Sequence, residues 1–309
     1  MQSNNIIKVI GIGGGGVNMV DSMYNMGIHG VDFAVCHTDY QSFEGVNVPV
    51  KVHFGQSVFV RDIETAKRAF EENVDKFTEL LTDNIRMVFI VAGMGGSTGS
   101  GVAPLLAEMA KSKGILTVGI VIEPFLFERW PRIIQAAEAV EEMSKHVDAL
   151  IVVKNELLKT LFPDSCIDDE YFNKANGIVA MTVKSISEII TMQGIINRDF
   201  YDINYMMKDS GLALVSYGFG KGENRIDNAI REALDSPLLK DNNIYDAKKI
   251  LFYLSLKPES HIKVDEVLQS LNIFMDRFDI CKCVVWGFGD CTSLKEGQEV
   301  KFTIIAIGT

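Results

Sequence analysis

The chain turns on one stretch, Gly93-Met94-Gly95-Gly96-Ser97-Thr98-Gly99-Ser100-Gly101. The run before it, Met87-Val88-Phe89-Ile90-Val91-Ala92, reads as a buried strand. The segment after it opens with Val102-Ala103-Pro104. That places Pro104 in the first turn of a helix, where a missing N–H costs nothing. A strand that passes through a glycine-rich bend into a helix N-terminus makes an anion site. The bend lets backbone N–H groups converge, and the helix dipole adds partial positive charge. Ser97, Thr98 and Ser100 add hydroxyl donors, so the expected ligand is a phosphate chain. The alternative is a flexible glycine linker, which is not usually bracketed by a buried strand and a Pro-started helix.

A second glycine loop precedes the first. Ile6 to Ile12 reads as a parallel-sheet strand ending in Gly13-Gly14-Gly15-Gly16-Val17-Asn18, with a helix following to about Met26. Gly11, Gly13 and Gly16 satisfy the dinucleotide fingerprint, although four consecutive glycines satisfy several templates by chance. Phe33 to Asp39 is a further strand whose polar end places Thr38 and Asp39 near this loop. Val48 to Phe59 is strand-like and passes into an amphipathic helix over roughly Asp62 to Leu81. The strand Leu116 to Ile122 ends at Glu123-Pro124-Phe125-Leu126-Phe127-Glu128, ahead of a helix containing Arg132. Ala149 to Val153 ends at Lys154-Asn155. Strands alternating with helices predict an α/β fold with a doubly wound parallel sheet. One dinucleotide site needs one glycine loop, so two favour a single nucleotide gripped between them.

Asp169 to Met192 is long and helical. Phe172, Ala175, Val179, Thr182, Ile186 and Ile189 recur at spacings of three and four, one continuous face. After Gly194 comes an N-x-D-x-x-D cluster, Asn197, Asp199 and Asp202, which is either functional or a capping and turn signal for the next helix. Beyond Ser210, strands at Leu212 to Gly218, Leu251 to Leu256, Lys282 to Gly287 and Val300 to Ile307 alternate with helices at Asp227 to Leu234 and Val264 to Phe274. They predict a smaller α/β domain with a mixed sheet. Cys281 and Cys283 alternate along a strand-like run and are expected as reduced side chains on one sheet face.

Composition narrows the function classes. A net charge of -11 argues against a nucleic-acid surface. Five cysteines without a C-x-x-C, and scattered histidines, give no metal-type cluster. No signal peptide opens the chain and no apolar run is long enough to span a bilayer, so a cytoplasmic protein is expected.

The two glycine loops, Pro-Phe-x-Phe-Glu with Arg132 four residues on, the long helix and the aspartate cluster occur in one order. That order resembles the family of FtsZ, the bacterial homologue of tubulin, across nearly the whole chain. Gly95-Gly96-Ser97-Thr98-Gly99-Ser100-Gly101 is similar to the family signature G-G-G-T-G-[ST]-G, with Ser97 in place of the third glycine. The resemblance implies a GTP-binding domain over 1–168, a central helix over 169–193 and a C-terminal activation domain over 194–309. It implies a GTP/GDP site in which Gly13 to Gly16 and Asn18 line the phosphates with the second loop. Glu128 and Arg132, beside Pro124, would hold the ribose side. Phe172 and Asn176 would stack on and read the guanine, with Asn155 at a neighbouring strand end. A side-chain amide offers a donor and an acceptor to a purine edge.

A helix of about 22 residues is about 33 Å long. If Phe172 at its start touches the base, Asp199 and Asp202 beyond its end reach only a nucleotide held by another subunit. Hydrolysis then needs head-to-tail filaments, with one carboxylate orienting or deprotonating water and the other holding a cation, Mg2+, or shaping the site. The implied setting is bacterial cell division, at the division site, with the protein itself, an authentic FtsZ or membrane adaptors as partners. Two departures stand against this. His53 to Arg61 carries a single glycine where the family has a glycine-rich loop near the γ-phosphate, and after Thr309 the family's linker and adaptor-binding peptide do not follow. The alternatives are a non-hydrolysing nucleotide-binding relative and a NAD-dependent oxidoreductase.

Overall fold

Unbroken apolar runs become strands covered on both faces, since water-facing positions would otherwise break the run with polar residues. The computed structural model describes residues 5–55, 62–161, 169–191, 200–239, 244–278, 281, 283–291 and 294–308. The chain divides into two compact units, Met1–Ser187 and Glu188–Thr309.

The first unit begins with β1 (Ile7–Ile12), α1 (Gly13–Asn25), β2 (Val31–His37), β3 (Val50–His53), α2 (Ile63–Glu71) and α3 (Val74–Leu80). It continues through β4 (Met87–Gly93), α4 (Ser97–Ser112), β5 (Leu116–Glu123), α5 (Trp130–His146), β6 (Ala149–Lys154), α6 (Asn155–Leu161) and most of α7 (Asp169–Thr191). The sheet order is β3-β2-β1-β4-β5-β6, with every pair parallel. Ile10, Ile12, Val88 and Ile90 share a core with Phe70 of α2, Phe77 of α3 and Leu106 of α4. Helix α1 covers the other face, where a Cβ on Gly11 would run into the Gly16 carbonyl and lie 2.9 Å from Val20. Each of the large buried side chains contributes roughly 1.5–3 kcal/mol. The chain leaves β1 for β2 on one side and returns to β4 on the other. The order therefore reverses between β1 and β4, whose ends pair at Ile12 and Ala92.

Three local readings are corrected. The helices begin inside the glycine bends, α1 at Gly13 and α4 at Ser97, so Pro104 is an interior helix residue and not part of the first turn. Its missing N–H leaves the Ser100 carbonyl without the usual helical donor. The helix expected over Asp62 to Leu81 is two helices. Asn73 leaves helical geometry (φ -125°, ψ 25°), and its side chain donates to the Ala69 carbonyl (2.9 Å), closing the end of α2. Of the strand expected over Val48 to Phe59, Val50–His53 is strand, Val48, Pro49, Phe54 and Gly55 are not, and 56–61 lie outside the described residues. The continuous face read along α7 holds where its side chains are described: Val179, Thr182, Ile186 and Ile189 are buried, and Ala180 and Val183 beside them are buried too.

The second unit holds the last turn of α7, α8 (Phe200–Met207), β7 (Gly211–Gly220), α9 (Arg225–Leu234), β8 (Lys249–Leu256), α10 (Val264–Met275), β9 (Cys283–Asp290) and β10 (Val300–Ile307). The order is β7-β10-β8-β9, with β10 antiparallel to β7 and β8, and β8 parallel to β9. This is the mixed sheet expected. Phe252, Phe274 and Phe302 form its aromatic centre, with ring centroids 5.0–5.1 Å from Phe274. Arg225 ties the start of α9 to Glu266 (3.1 Å) and Glu299 (2.8 Å). Lys301 and Glu188 are buried as a pair at 3.0 Å, which offsets the cost of taking either charge out of water. Cys281 falls before β9 and not on a sheet face, its thiol turned to the Cys283 carbonyl. Among the described residues no helix is long and apolar enough to cross a membrane.

Candidate functional site

In open parallel sheets a ligand lies at the carboxyl ends of the strands where the order reverses. Both glycine loops stand there, on adjacent strands, and they touch. A Cβ on Gly13, whose φ is +71°, would lie 2.9 Å from the Gly99 nitrogen. A Cβ on Gly99 would run into the Gly93 carbonyl. Only hydrogen at these positions lets two helix starts sit this close. Neither helix has an acidic residue in its first turn, and neither N-cap side chain bonds to the first amides. The partial positive charge of both helices is therefore left for an external anion.

The loop hydroxyls divide their work. Thr98 Oγ1 lies 3.0 Å from Thr38 Oγ1, both buried, joining the end of β2 to the start of α4. The Gly95 N–H donates to Ser100 Oγ (2.8 Å), closing the second bend on itself. Ser97, half-buried, has no hydrogen-bond partner among the described residues. Of the three hydroxyls expected to face phosphate, two hold the loop and one is open.

Beside the loops lies a cleft of about 430 Å³. It brings together Gly15, Asn18, Pro124, Glu128, Arg132, Asn155 and Asn176 from the residues expected on sequence grounds. Three of these are side-chain amides, each able to donate and accept. Met19, Met94, Phe125 and Phe127 also line it and were not anticipated. Phe125 and Phe127 stack at 5.0 Å and 17°, with Phe127 largely exposed. Their signal lay in the Pro-Phe-x-Phe-Glu run, where only the flanking residues had been given roles. The loop carrying them is fixed at both ends. Glu128 accepts from the Phe125 N–H (2.9 Å) and pairs with Arg132 (2.9 Å), while Glu156 accepts from the Leu126 N–H (2.8 Å).

At the end of β2, the Asp39 N–H donates to His37 Nδ1 (2.7 Å), and Asp39 Oδ1 accepts from the Gln41 N–H (3.0 Å). Burial lowers the His37 pKa from the ordinary imidazole value, against the pull of the Asp39 charge and with help from His53. The side chain of Phe172 is not described, and Asn197 and Asp199 lie outside the described residues. Asp202 lies in the first turn of α8, in the second unit.

The GTPase-domain model of the tubulin/FtsZ family matches residues 6–163. The chain belongs to the tubulin/FtsZ family. This makes it a GTP-binding and GTP-hydrolysing protein, and neither alternative raised by the sequence is favoured by the match. Among tubulin/FtsZ relatives, the cell division protein FtsZ of Porphyromonas gingivalis is 41% identical over 98% of this chain and 67% of its own length. That of Buchnera aphidicola is 37% identical over 100% of this chain and 81% of its own. Among solved structures, an empty FtsZ dimer from M. jannaschii superposes with a TM-score of 0.88 at 30% identity, covering 100% of this chain and 89% of the other. A CetZ from Methanosaeta thermophila shares the fold (TM-score 0.79, 19% identity, 98% and 86% covered).

Proposed function

We propose that the chain is a self-assembling GTPase of bacterial cell division, working in the cytoplasm at the division site, with guanine nucleotide held in the cleft of the first unit. One observation carries the placement: two helix starts abut at the reversal of a parallel sheet with no N-cap side chain bonded to their first amides. The phosphates belong on Gly13 to Gly16 and on Gly95 to Gly101. Asn18, Thr38 and Asp39 flank them, and the Ser97 hydroxyl is available as a donor. The ribose belongs beside Pro124, Glu128 and Arg132, and the base beside Asn155, Phe172 and Asn176.

Hydrolysis, on this reading, is completed in trans. The cleft belongs wholly to one compact unit, whereas Asp202 belongs to the other, and the expected domains are 1–168, 169–193 and 194–309. Asp199, Asp202 and Asn197 of one subunit would complete the site of the next, with one carboxylate orienting the attacking water. The relatives named as cell division proteins, and the solved FtsZ dimer, support assembly from copies of this chain. A divalent cation fits only through the phosphates. Among the described residues no three His, Cys, Asp or Glu side chains gather as a ligand set. Mg2+ commonly takes one or two carboxylates plus phosphates, and Asp39 has one carboxylate oxygen not engaged by Gln41. Such an ion supplies charge neutralisation to the phosphates.

The test is the nucleotide. The isolated protein is expected to carry GDP or GTP, identified by chromatography after denaturation. Gly14→Asp has room for its Cβ, 3.8 Å from the nearest neighbour, and sets a negative charge against the phosphates. It should weaken GTP affinity by more than about tenfold with an unchanged melting temperature. Bound NAD(H) with no exchange for guanine nucleotide, or unaltered GTP binding by Gly14→Asp, would overturn the placement.

A further inference from the structure

Sulfur atoms of the second unit gather where the end of α8 meets the start of β9, and nothing in the motifs or the family match gives them a task. Cys283 opens β9, and its Sγ lies 3.7 Å from Sδ of Met206, which sits in the last turn of α8 and 77 positions earlier in the chain. Met206 is fully buried, whereas Cys281 and Cys283 are half-buried, so the group has its floor in the core and its thiols within reach of solvent. Cys281, two residues before Cys283, is also a free thiol. It donates to carbonyls, that of Cys283 at 3.2 Å and that of Lys248 at 3.6 Å. A thiol is a weak donor, so little is lost when such bonds give way.

Two sulfurs held by one ion at about 2.3 Å stand about 3.8–4.0 Å apart at tetrahedral or trigonal angles, close to the Cys283–Met206 separation. Charge favours an ion there as well. Lys249, the register partner of Cys283 on β8, donates to the Tyr205 and Met206 carbonyls at 3.2 and 3.3 Å. Its ammonium borders the group and offsets the negative charge of two thiolates. The donor set then selects among metals. Structural zinc takes four Cys, His or carboxylate ligands, and iron–sulfur clusters take four thiolates. Among the described residues no third Cys, His, Asp or Glu joins the two thiols. Two thiolates and a thioether suit a soft monovalent ion.

We propose that Cys281, Cys283 and Met206 form a three-sulfur site for a soft monovalent metal ion, Cu(I). Both thiols give up their protons to solvent as the ion binds, and Met206 contributes its sulfur without a charge. Seating the ion turns the Cys281 thiol away from its carbonyl acceptors by rotation about its side-chain bond. The bound ion ties the last turn of α8 to the start of β9, and the first turn of the same helix carries Asp202. The C-x-C spacing alone does not announce such a site, because its third ligand comes from a helix far back in the sequence.

Anaerobic competition of the full chain against a chromophoric Cu(I) chelator tests the site with Cu(I) alone. The unmodified protein should withhold about one Cu(I) per chain from the chelator. Cys281→Ser and Cys283→Ser should each weaken binding by about a hundredfold, and Met206→Leu, which keeps the side-chain volume, by about tenfold. Cys291→Ser, beyond the far end of β9, should bind like the unmodified protein. Cu(I) held equally well by both of the first two serine variants would overturn the proposal, as would a loss confined to Cys291→Ser. Zn(II) offered to the same protein should bind more weakly than Cu(I), and tighter Zn(II) binding would contradict the assignment of the ion. Should the serine variants not fold, alkylation of the unmodified protein decides the matter. Cu(I) should protect Cys281 and Cys283 from iodoacetamide, read by peptide mass spectrometry, and labelling unchanged by the ion would show that neither thiol binds it.

Discussion

Thr98 and Ser97 are neighbours in one signature, yet their hydroxyls have opposite uses, and substitution should separate them. Thr98→Val leaves the Thr38 hydroxyl buried without its partner, which should cost about 1–3 kcal/mol in urea unfolding. Ser97→Ala removes a hydroxyl with no described partner, so its unfolding free energy should change by less than about 0.5 kcal/mol. Equal losses would show that Ser97 also holds the loop. His37 gives a pH signature. Burial lowers its folded pKa below the ordinary imidazole value of about 6.5, so the unfolded chain binds the proton more readily. The stability linked to the neutral ring is present above that value and is lost as pH falls from it toward the folded pKa. An NMR titration should find the His37 midpoint below 6.5, and a midpoint above it would show the Asp39 charge dominating. Residue types showed that hydroxyls and glycines belonged at the site. Which hydroxyls face outward was not legible, because that depends on Thr38, sixty positions away in the chain, being brought against Thr98.

At the level of elements, the strands were the most legible part, since a parallel strand buried on both faces announces itself as an unbroken apolar run. Helix starts were not. The start of α4 is set by Gly99 packing on Gly93 and not by Pro104, and the proline rule at a first turn misled for that reason. The single period read over Asp62 to Leu81 missed the break at Asn73, which rests on one side-chain bond to Ala69. The packing makes an opposite prediction for two glycines of the signature. Replacing an interior helical glycine by alanine ordinarily stabilises by up to about 1 kcal/mol. Gly99→Ala should instead destabilise, because its Cβ meets the Gly93 carbonyl, and it should weaken GTP binding by prising the two loops apart. Gly96→Ala has no atom within 4 Å of its Cβ and should melt within a few degrees of the unmodified protein. If the two variants melt alike, the abutting loops are not what sets the start of α4.

For the whole molecule, motif order alone was enough to indicate the tubulin/FtsZ fold, and the cleft gathers residues from α1, α5, α6 and α7 that the sequence had already connected. The aromatic wall of Phe125 and Phe127 was less legible, because an apolar pair beside a turn gives no sign of which ring faces a cavity. The central claim concerns where the reaction is completed: nucleotide bound in the first unit of one subunit, turnover supplied by Asp202 and its neighbours from another. The most direct measurement is phosphate release per subunit across a dilution series, for the unmodified protein, for Asp202→Ala, for Gly14→Asp and for an equal mixture of the two variants. Turnover per subunit should rise with concentration. Asp202→Ala should bind GTP like the unmodified protein without turning it over, and the mixture should recover activity that neither variant has alone. Turnover that stays flat on dilution far below the association constant, with no recovery on mixing, would mean that each chain completes its own site and would contradict the account.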